Sequence, residues 1–189
     1  MNRKRIVFGG AGGLALLGAA VGVACGGSSA ATTAGEAGGE AGGEAALVSA
    51  TDPASGLAFQ HPGTWTKTSD RPIAFSGQDE YVSLEVRPLT GDVLAAAKAD
   101  GAAVQTANPG YKSAATIALS KEVKSSAVSS YEWDLAKSAV TGKPVHERAD
   151  RYYIDLGNGK MAILTGSSPA TRFDREQVRD IALSVKVAK

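Results

Sequence analysis

The first 46 residues cannot supply a folded core, and this confines any domain to the rest of the chain. Residues 6–24 are nineteen positions without a charge, and Arg3, Lys4 and Arg5 come just before them. Residues 26–46 contain only Gly, Ala, Ser, Thr and Glu, with no aromatic and no large aliphatic side chain. Such a segment buries too little apolar area to offset the entropy of ordering it, so disorder is expected there. Thirteen of the 23 glycines fall in residues 1–46. The 143 residues from 47 to 189 hold only ten, a composition and length that suit one domain.

The start of the chain has the three parts of an export signal: a basic beginning, an apolar centre and small residues before a cut. Its apolar centre is diluted by Gly9, Gly10, Gly12, Gly13, Gly18 and Gly22. A permanent transmembrane helix is the competing reading, but it needs about 20 strongly apolar residues. The stretch Val21-Gly22-Val23-Ala24-Cys25-Gly26-Gly27 resembles the lipobox of bacterial lipoproteins. Gly22 stands where that family usually has a large aliphatic residue. The resemblance implies a diacylglycerol thioether on Cys25, which becomes the new N-terminus after cleavage. Each buried methylene contributes roughly 0.8 kcal/mol, so two or three acyl chains, palmitate among them, hold a domain at a membrane surface. The expected division is a signal peptide over 1–24, a linker over 25–50 and a domain over 51–189. A Gly-rich coil of about 20 residues keeps its ends on the order of 25 Å apart. Glu36, Glu40 and Glu44 keep that spacer solvated.

Within the domain, Leu57 and Phe59 alternate with polar neighbours until Pro62-Gly63, which predicts a short strand. Trp65 follows as a candidate core residue, and residues 73–76 form a second strand. The clearest alternation covers residues 81–87. Val82, Leu84 and Val86 share one face, and Ser83, Glu85 and Arg87 share the other, which predicts one wet side. Asp92 or Thr90 can cap a helix from Val93, with Val93, Leu94, Ala97, Gly101 and Val104 along its buried face and Asn108-Pro109-Gly110 ending it. Residues 116–119, 131–135 and 145–156 read as strands. The last of these turns back through Gly157-Asn158-Gly159 into Met161, Ile163 and Thr165. Ser168 and Pro169 then suit the start of a closing helix, whose buried stripe is Val178, Ile181, Ala182 and Val185. Two amphipathic helices should cover a mainly antiparallel sheet, an α+β fold arranged as an α/β/α sandwich.

The segment Gly56-Leu57-Ala58-Phe59-Gln60-His61-Pro62-Gly63-Thr64-Trp65 resembles the opening strand of PsbP-like domains. The extended segment at 81–88, the first helix, the aromatic strand at 131–135 and the closing helix follow in that family's order, so the resemblance covers residue 56 to about 187. It implies an α/β/α sandwich. The family includes lipid-anchored photosystem accessory proteins, mycobacterial lipoproteins of the LpqN type and a eukaryotic nuclear-import factor, whose roles are mostly binding and assembly. No photosystem-specific motif matches residue by residue.

The chemistry-bearing residues are few. One Cys and two His leave no internal disulfide and no multi-Cys zinc site, and no cofactor motif stands out. The formal net charge of +1 argues against a strongly basic nucleic-acid binder. No Gly-x-Ser-x-Gly occurs. The densest polar cluster is His146-Glu147-Arg148-Ala149-Asp150, where His146, Arg148 and Asp150 should share one strand face. It reads as the wet face or edge of a sheet, or as a weak divalent-ion site. Arg172, Arg175 and Arg179 beside Asp174, Glu176 and Asp180 read as a solvated, ion-paired helix face, or as a docking surface for an acidic partner. Tyr111, Tyr131, Trp133, Tyr152 and Tyr153 suit either a sheet core or a ligand pocket.

The sequence therefore favours an exported, lipid-anchored, non-enzymatic binding or assembly protein on the extracytoplasmic face of the cell membrane. Its membrane contact would run through Cys25 and its partner would be an envelope or membrane protein. Two alternatives stand beside it: a carrier of a small apolar ligand in an enclosed cavity, and a small hydrolase built from His146, Asp150 and Ser167.

Overall fold

A glycine-rich turn organises the largest sheet. Gly157, Asn158 and Gly159 all have positive φ, at 67°, 64° and 70°, a conformation that Gly and Asn adopt at least cost. They join two long strands of a computed structural model that describes residues 46–107, 110–113, 118–120, 126–135 and 142–188. The expected signal peptide, Cys25 and the linker up to residue 45 lie outside the described residues, as do Asn108, Pro109, Thr116 and Ile117.

In chain order the elements are β1 (Leu47–Asp52), β2 (Leu57–Pro62), β3 (Thr66–Asp70), β4 (Ile73–Ser76), β5 (Tyr81–Pro88), α1 (Val93–Ala107), β6 (Lys112–Ser113), β7 (Ala118–Ser120), β8 (Ser126–Leu135), β9 (Val145–Asp155), β10 (Lys160–Pro169), α2 (Arg175–Leu183) and β11 (Lys186–Val187). One sheet has the order β3-β4-β5-β10-β9-β8-β6, with β7 also paired to β8, and a small one has the order β1-β2-β11. Every pairing is antiparallel. Among the described residues no helix is long and apolar enough to cross a membrane.

Alternation along the central strands divides the large sheet into two buried faces. Tyr152, Ile154, Ala162, Leu164, Val82 and Leu84 meet α2 and the β2 residues Leu57 and Phe59. The residues between them, Tyr153, Met161 and Ile163, meet Val93 and Ala97 of α1. Further along the same side, Val104 and Tyr111 pack on Tyr131, Trp133 and Ala149. The fold is thus α+β with two antiparallel sheets and two helices, and it is mostly strand. The expected two-helix sandwich is too simple: α1 lies on one side, but α2 shares the other with a second sheet. Residues 47–50 belong to β1, Leu47–Asp52.

The helix ends differ from expectation in one case. Asp92 caps α1, where its carboxylate accepts from the Ala95 amide at 2.8 Å. Ser168 and Pro169 do not open α2; they finish β10 opposite Arg148 and Glu147. Asp174 is the cap, its Oδ1 accepting from the Glu176 and Gln177 amides at 2.9 and 3.0 Å. With Gln177 at the third helical position, the sequence carries the capping-box pattern there rather than at Ser168.

The predicted wet side of β5 is also corrected. Ser83 is buried, and Glu85 and Arg87 are partly covered, because their side chains turn under α1 into an ionic cluster.

Candidate functional site

Even-numbered residues of β8 and β9 reach the α2 side, and near the N-terminus of α2 they become polar. Here the structure gathers most of the residues picked out from sequence. Asp150 is fully buried, and its carboxylate accepts from Arg175 Nε at 2.9 Å and from the Ser130 hydroxyl at 2.6 Å. Arg175 also donates to Ser130 Oγ at 3.1 Å, closing a three-membered ring of contacts between α2, β9 and β8. Arg148, two residues before Asp150 on β9, sets its guanidinium 5.2 Å from the centre of the Phe173 ring and 3.9 Å from Glu132. His146, two residues further out, donates from Nδ1 to Asp134 at 2.8 Å and has Nε2 3.4 Å from Glu132. Hydrogen bonding to Asp134 raises the His146 pKa above its ordinary value, against a smaller opposing effect of desolvation, and Glu132 adds to the rise.

The three helix-region arginines do not act as one cluster. Arg172 precedes α2 and reaches across to Asp79 at 2.7 Å. Arg175 holds Asp150, and Arg179 pairs along the helix with Asp180 at 3.4 Å. Arg172 and Arg175 nevertheless keep side-chain exposures of 60% and 55%, on either side of Phe173 in sequence. The surface that results is a mixed-charge ridge with one partly buried aromatic. Glu132, Asp134, Ser130, Asp79 and Phe173 escaped the sequence reading because each gains its role from a residue distant in the chain. The β8–β9 register, which sets Glu132 opposite Arg148 and Asp134 opposite His146, is the signal that would have found two of them.

The hydrolase arrangement does not form. His146 and Asp150 face α2, whereas Ser167 alternates with Gly166, whose position lies against Val178 of α2, and therefore faces the opposite way. Asp150 is already committed to Arg175 and Ser130. Among the described residues no group of three or more His, Cys, Asp or Glu has metal-binding geometry. The His146 imidazole instead lies between two carboxylates as a hydrogen-bonded partner.

The five aromatics singled out as a core or a pocket are buried, and they divide between the two faces. Tyr111 stacks on Trp133 with ring centres 4.7 Å apart and planes 11° from parallel. Tyr152 belongs to the α2-side core. Together they form packing rather than one pocket.

The sequence missed a second polar constellation, under α1. Arg151, whose side chain is 4% exposed, lies 3.2 Å from Glu85 and 3.3 Å from Asp100 of α1. Arg87 binds the same two carboxylates at 2.8 and 2.7 Å. The Tyr153 hydroxyl donates to Asp100 at 2.7 Å. Burial drives the Tyr153 pKa well upward, despite the nearby Arg151, so the phenol stays protonated as a donor. On the same side Glu147 is half-buried, and desolvation, reinforced by Asp79, raises its pKa from 4.5 to about 7.

No protein-family model and no curated protein sequence matches the chain. Solved structures do. Cyanobacterial PsbP (CyanoP) from Synechocystis aligns with 16% identity over 80% of this chain and 98% of its own, at a TM-score of 0.49. The Ran-binding protein Mog1p of Saccharomyces cerevisiae aligns with 9% identity over 77% of this chain and 97% of its own, at a TM-score of 0.53. A Bacteroides thetaiotaomicron protein aligns with 9% identity over 75% of this chain and 48% of its own, at a TM-score of 0.46. At these identities a common fold with Mog1p is established, and fold alone does not transfer function.

Proposed function

We propose that this protein is a non-enzymatic binding or assembly protein with a PsbP-like domain, exported and held at the extracytoplasmic membrane face through lipid on Cys25. The anchoring half of the reading rests on the residues around Cys25 and the spacer that follows. The binding half rests on one observation: the ridge carrying Arg172, Phe173 and Arg175 leaves both arginines more than half exposed and assembles no catalytic set among the described residues. The same fold in the Ran-binding protein Mog1p supports a role in recognising other proteins. The partner is an envelope or membrane protein that presents carboxylates to Arg172 and Arg175. Mixed-charge rims of this kind set orientation and association rate more than raw affinity.

Two measurements test the two halves separately. Detergent partitioning with mass spectrometry of the mature N-terminus should find a diacylated Cys25; an intact chain with a free Cys25 thiol removes the anchor. Mild crosslinking on intact membranes should capture a defined neighbour that is lost with Arg172→Glu. Equal capture by that variant removes the ridge as the contact surface.

A further inference from the structure

Away from the ridge, the two sheets part at the end where the β1–β2, β3–β4 and β9–β10 turns come together, leaving a cleft of about 690 Å³. That volume falls within the range of sites for drug-sized molecules, about 300–1,000 Å³. Its apolar lining comes from both sheets: Leu57 and Val187 from the small one, and Val86 and Leu156 from β5 and the end of β9. Val187 is 71% exposed, the most exposed large aliphatic side chain described, and it lines this cleft.

The charges around the cleft differ in how they are committed. Asp52 is consumed by its own turn, its carboxylate accepting from the Ala54 amide at 3.2 Å, the Ser55 amide at 3.1 Å and the Ser55 hydroxyl at 2.5 Å. Asp70 is bound by Lys67 at 2.5 Å. Arg87 contributes only its stem, because its guanidinium is held by Glu85 and Asp100. Arg71 and Lys160 remain, and among the described residues neither makes a salt bridge. Both are exposed. They come from neighbouring stretches of the sheet: Ile73, two residues after Arg71, pairs with Leu84, and Lys160 pairs with Pro88 on the same strand β5. Two exposed cations without a salt bridge, of which Arg71 also feels the charge of neighbouring Asp70, lie beside an apolar floor and complement a molecule with an anionic head and a hydrocarbon body.

We propose that this cleft binds a free single-chain anionic amphiphile of the medium-chain alkyl carboxylate class. Its carboxylate sits between Arg71 and Lys160, and its chain lies on Leu57, Val86, Leu156 and Val187. Charge-assisted hydrogen bonds to the head fix its orientation, and the apolar contacts supply affinity. The cleft lies at the Asp52 end of β1, away from Leu47. This site is independent of the ridge and of the partner proposed there.

The test is calorimetric titration of the full chain with decanoate below its critical micelle concentration, alongside decanol and phosphatidylglycerol vesicles. Saturable one-to-one binding of decanoate is expected. Weakening by about tenfold or more is expected for decanol, and for decanoate with Arg71→Gln combined with Lys160→Gln. Because both residues are exposed, the variant should keep the wild-type circular dichroism. Backbone amide shifts on titration should fall on β2, the end of β5 and the 156–160 turn. Absence of saturable binding, equal binding of decanol, an unaffected variant, or shifts confined to other parts of the domain would each overturn the site. Binding to vesicles without binding to free decanoate would also overturn it, in favour of a membrane contact.

Discussion

The two faces of the large sheet solve the same burial problem with different chemistry. Against α2 and the small sheet, the central strands present Leu84, Tyr152, Ile154 and Leu164, and polar residues gather where the α2 N-terminus reaches the rim. Against α1, the same strands carry Glu85, Arg87 and Arg151 into the interior, with Asp100 of the helix closing the cluster. Two arginines on β9 and α2 make the contrast direct. Arg151 is almost wholly removed from water and answers two carboxylates, while Arg175 is 55% exposed and answers one that is buried. Each pairing compensates charge that the fold has taken out of solvent, but only the first removes both partners. Helix α1, rich in Ala and short of large side chains, meets the sheet through this cluster as well as through Val93, Ala97 and Val104.

Substitutions on either side should break or sharpen this contrast. Arg151→Met leaves Glu85 and Asp100 sharing one cation in the interior, and urea unfolding should show a loss of about 3 kcal/mol or more. Adding Glu85→Leu to that variant should recover part of the loss, which would show that the penalty comes from uncompensated charge rather than from a missing side chain. Arg175→Ala strips buried Asp150 of its cation but leaves the Ser130 hydroxyl, and should cost about 1–3 kcal/mol. A cost equal to that of Arg151→Met would erase the distinction between the two faces.

Glu147 adds a pH-dependent comparison on the α1 side. Its folded pKa of about 7 lies above its ordinary 4.5, so its favourable contribution is complete below pH 4.5 and disappears as pH rises through 7. Glu147→Gln should therefore stabilise the domain at pH 8 by about 1 kcal/mol, after allowing for partial solvent screening, and change nothing at pH 4. Thermal melts at the two pH values read this directly. The smallest effect belongs to Arg172→Ala: its pair with Asp79 is exposed, and stability should move by no more than about 0.5 kcal/mol.

Much of the framework was legible because local chemistry and the final fold agree. β2, β4, β5 and the β9–β10 hairpin each join alternating apolar residues to a clear stop, and Gly157-Asn158-Gly159 makes the turn its composition suggests. β3, Thr66–Asp70, has no apolar residue and lies at a sheet edge, so no burial pattern marked it. β11 has only two residues and exists through its pairing with Ala58 and Leu57. Ser168-Pro169 satisfied the helix-start pattern locally, yet pairing with β9 claims those residues and passes the cap to Asp174. The ionic cluster under α1 was hidden for a related reason. Glu85 and Arg87 alternate as a solvent face would, and only the docking of α1 turns that face inward. On the ridge, His146, Arg148 and Asp150 do share a strand face, as their spacing implied. Their partners come from β8 and α2, which no local pattern could supply.

The alternation on β9 also guards the fold against error. If that strand paired one position out of step, Arg151 would be driven among the Leu and Ile side chains opposite α2, and Tyr152 would be turned toward Asp100, leaving Arg87 as the one cation of the cluster. An all-apolar strand would tolerate such a slip far better, since either set of side chains would find grease. The charges beneath α1 thus work as a key cut for one alignment, rejecting near-miss pairings that hydrophobicity alone would accept.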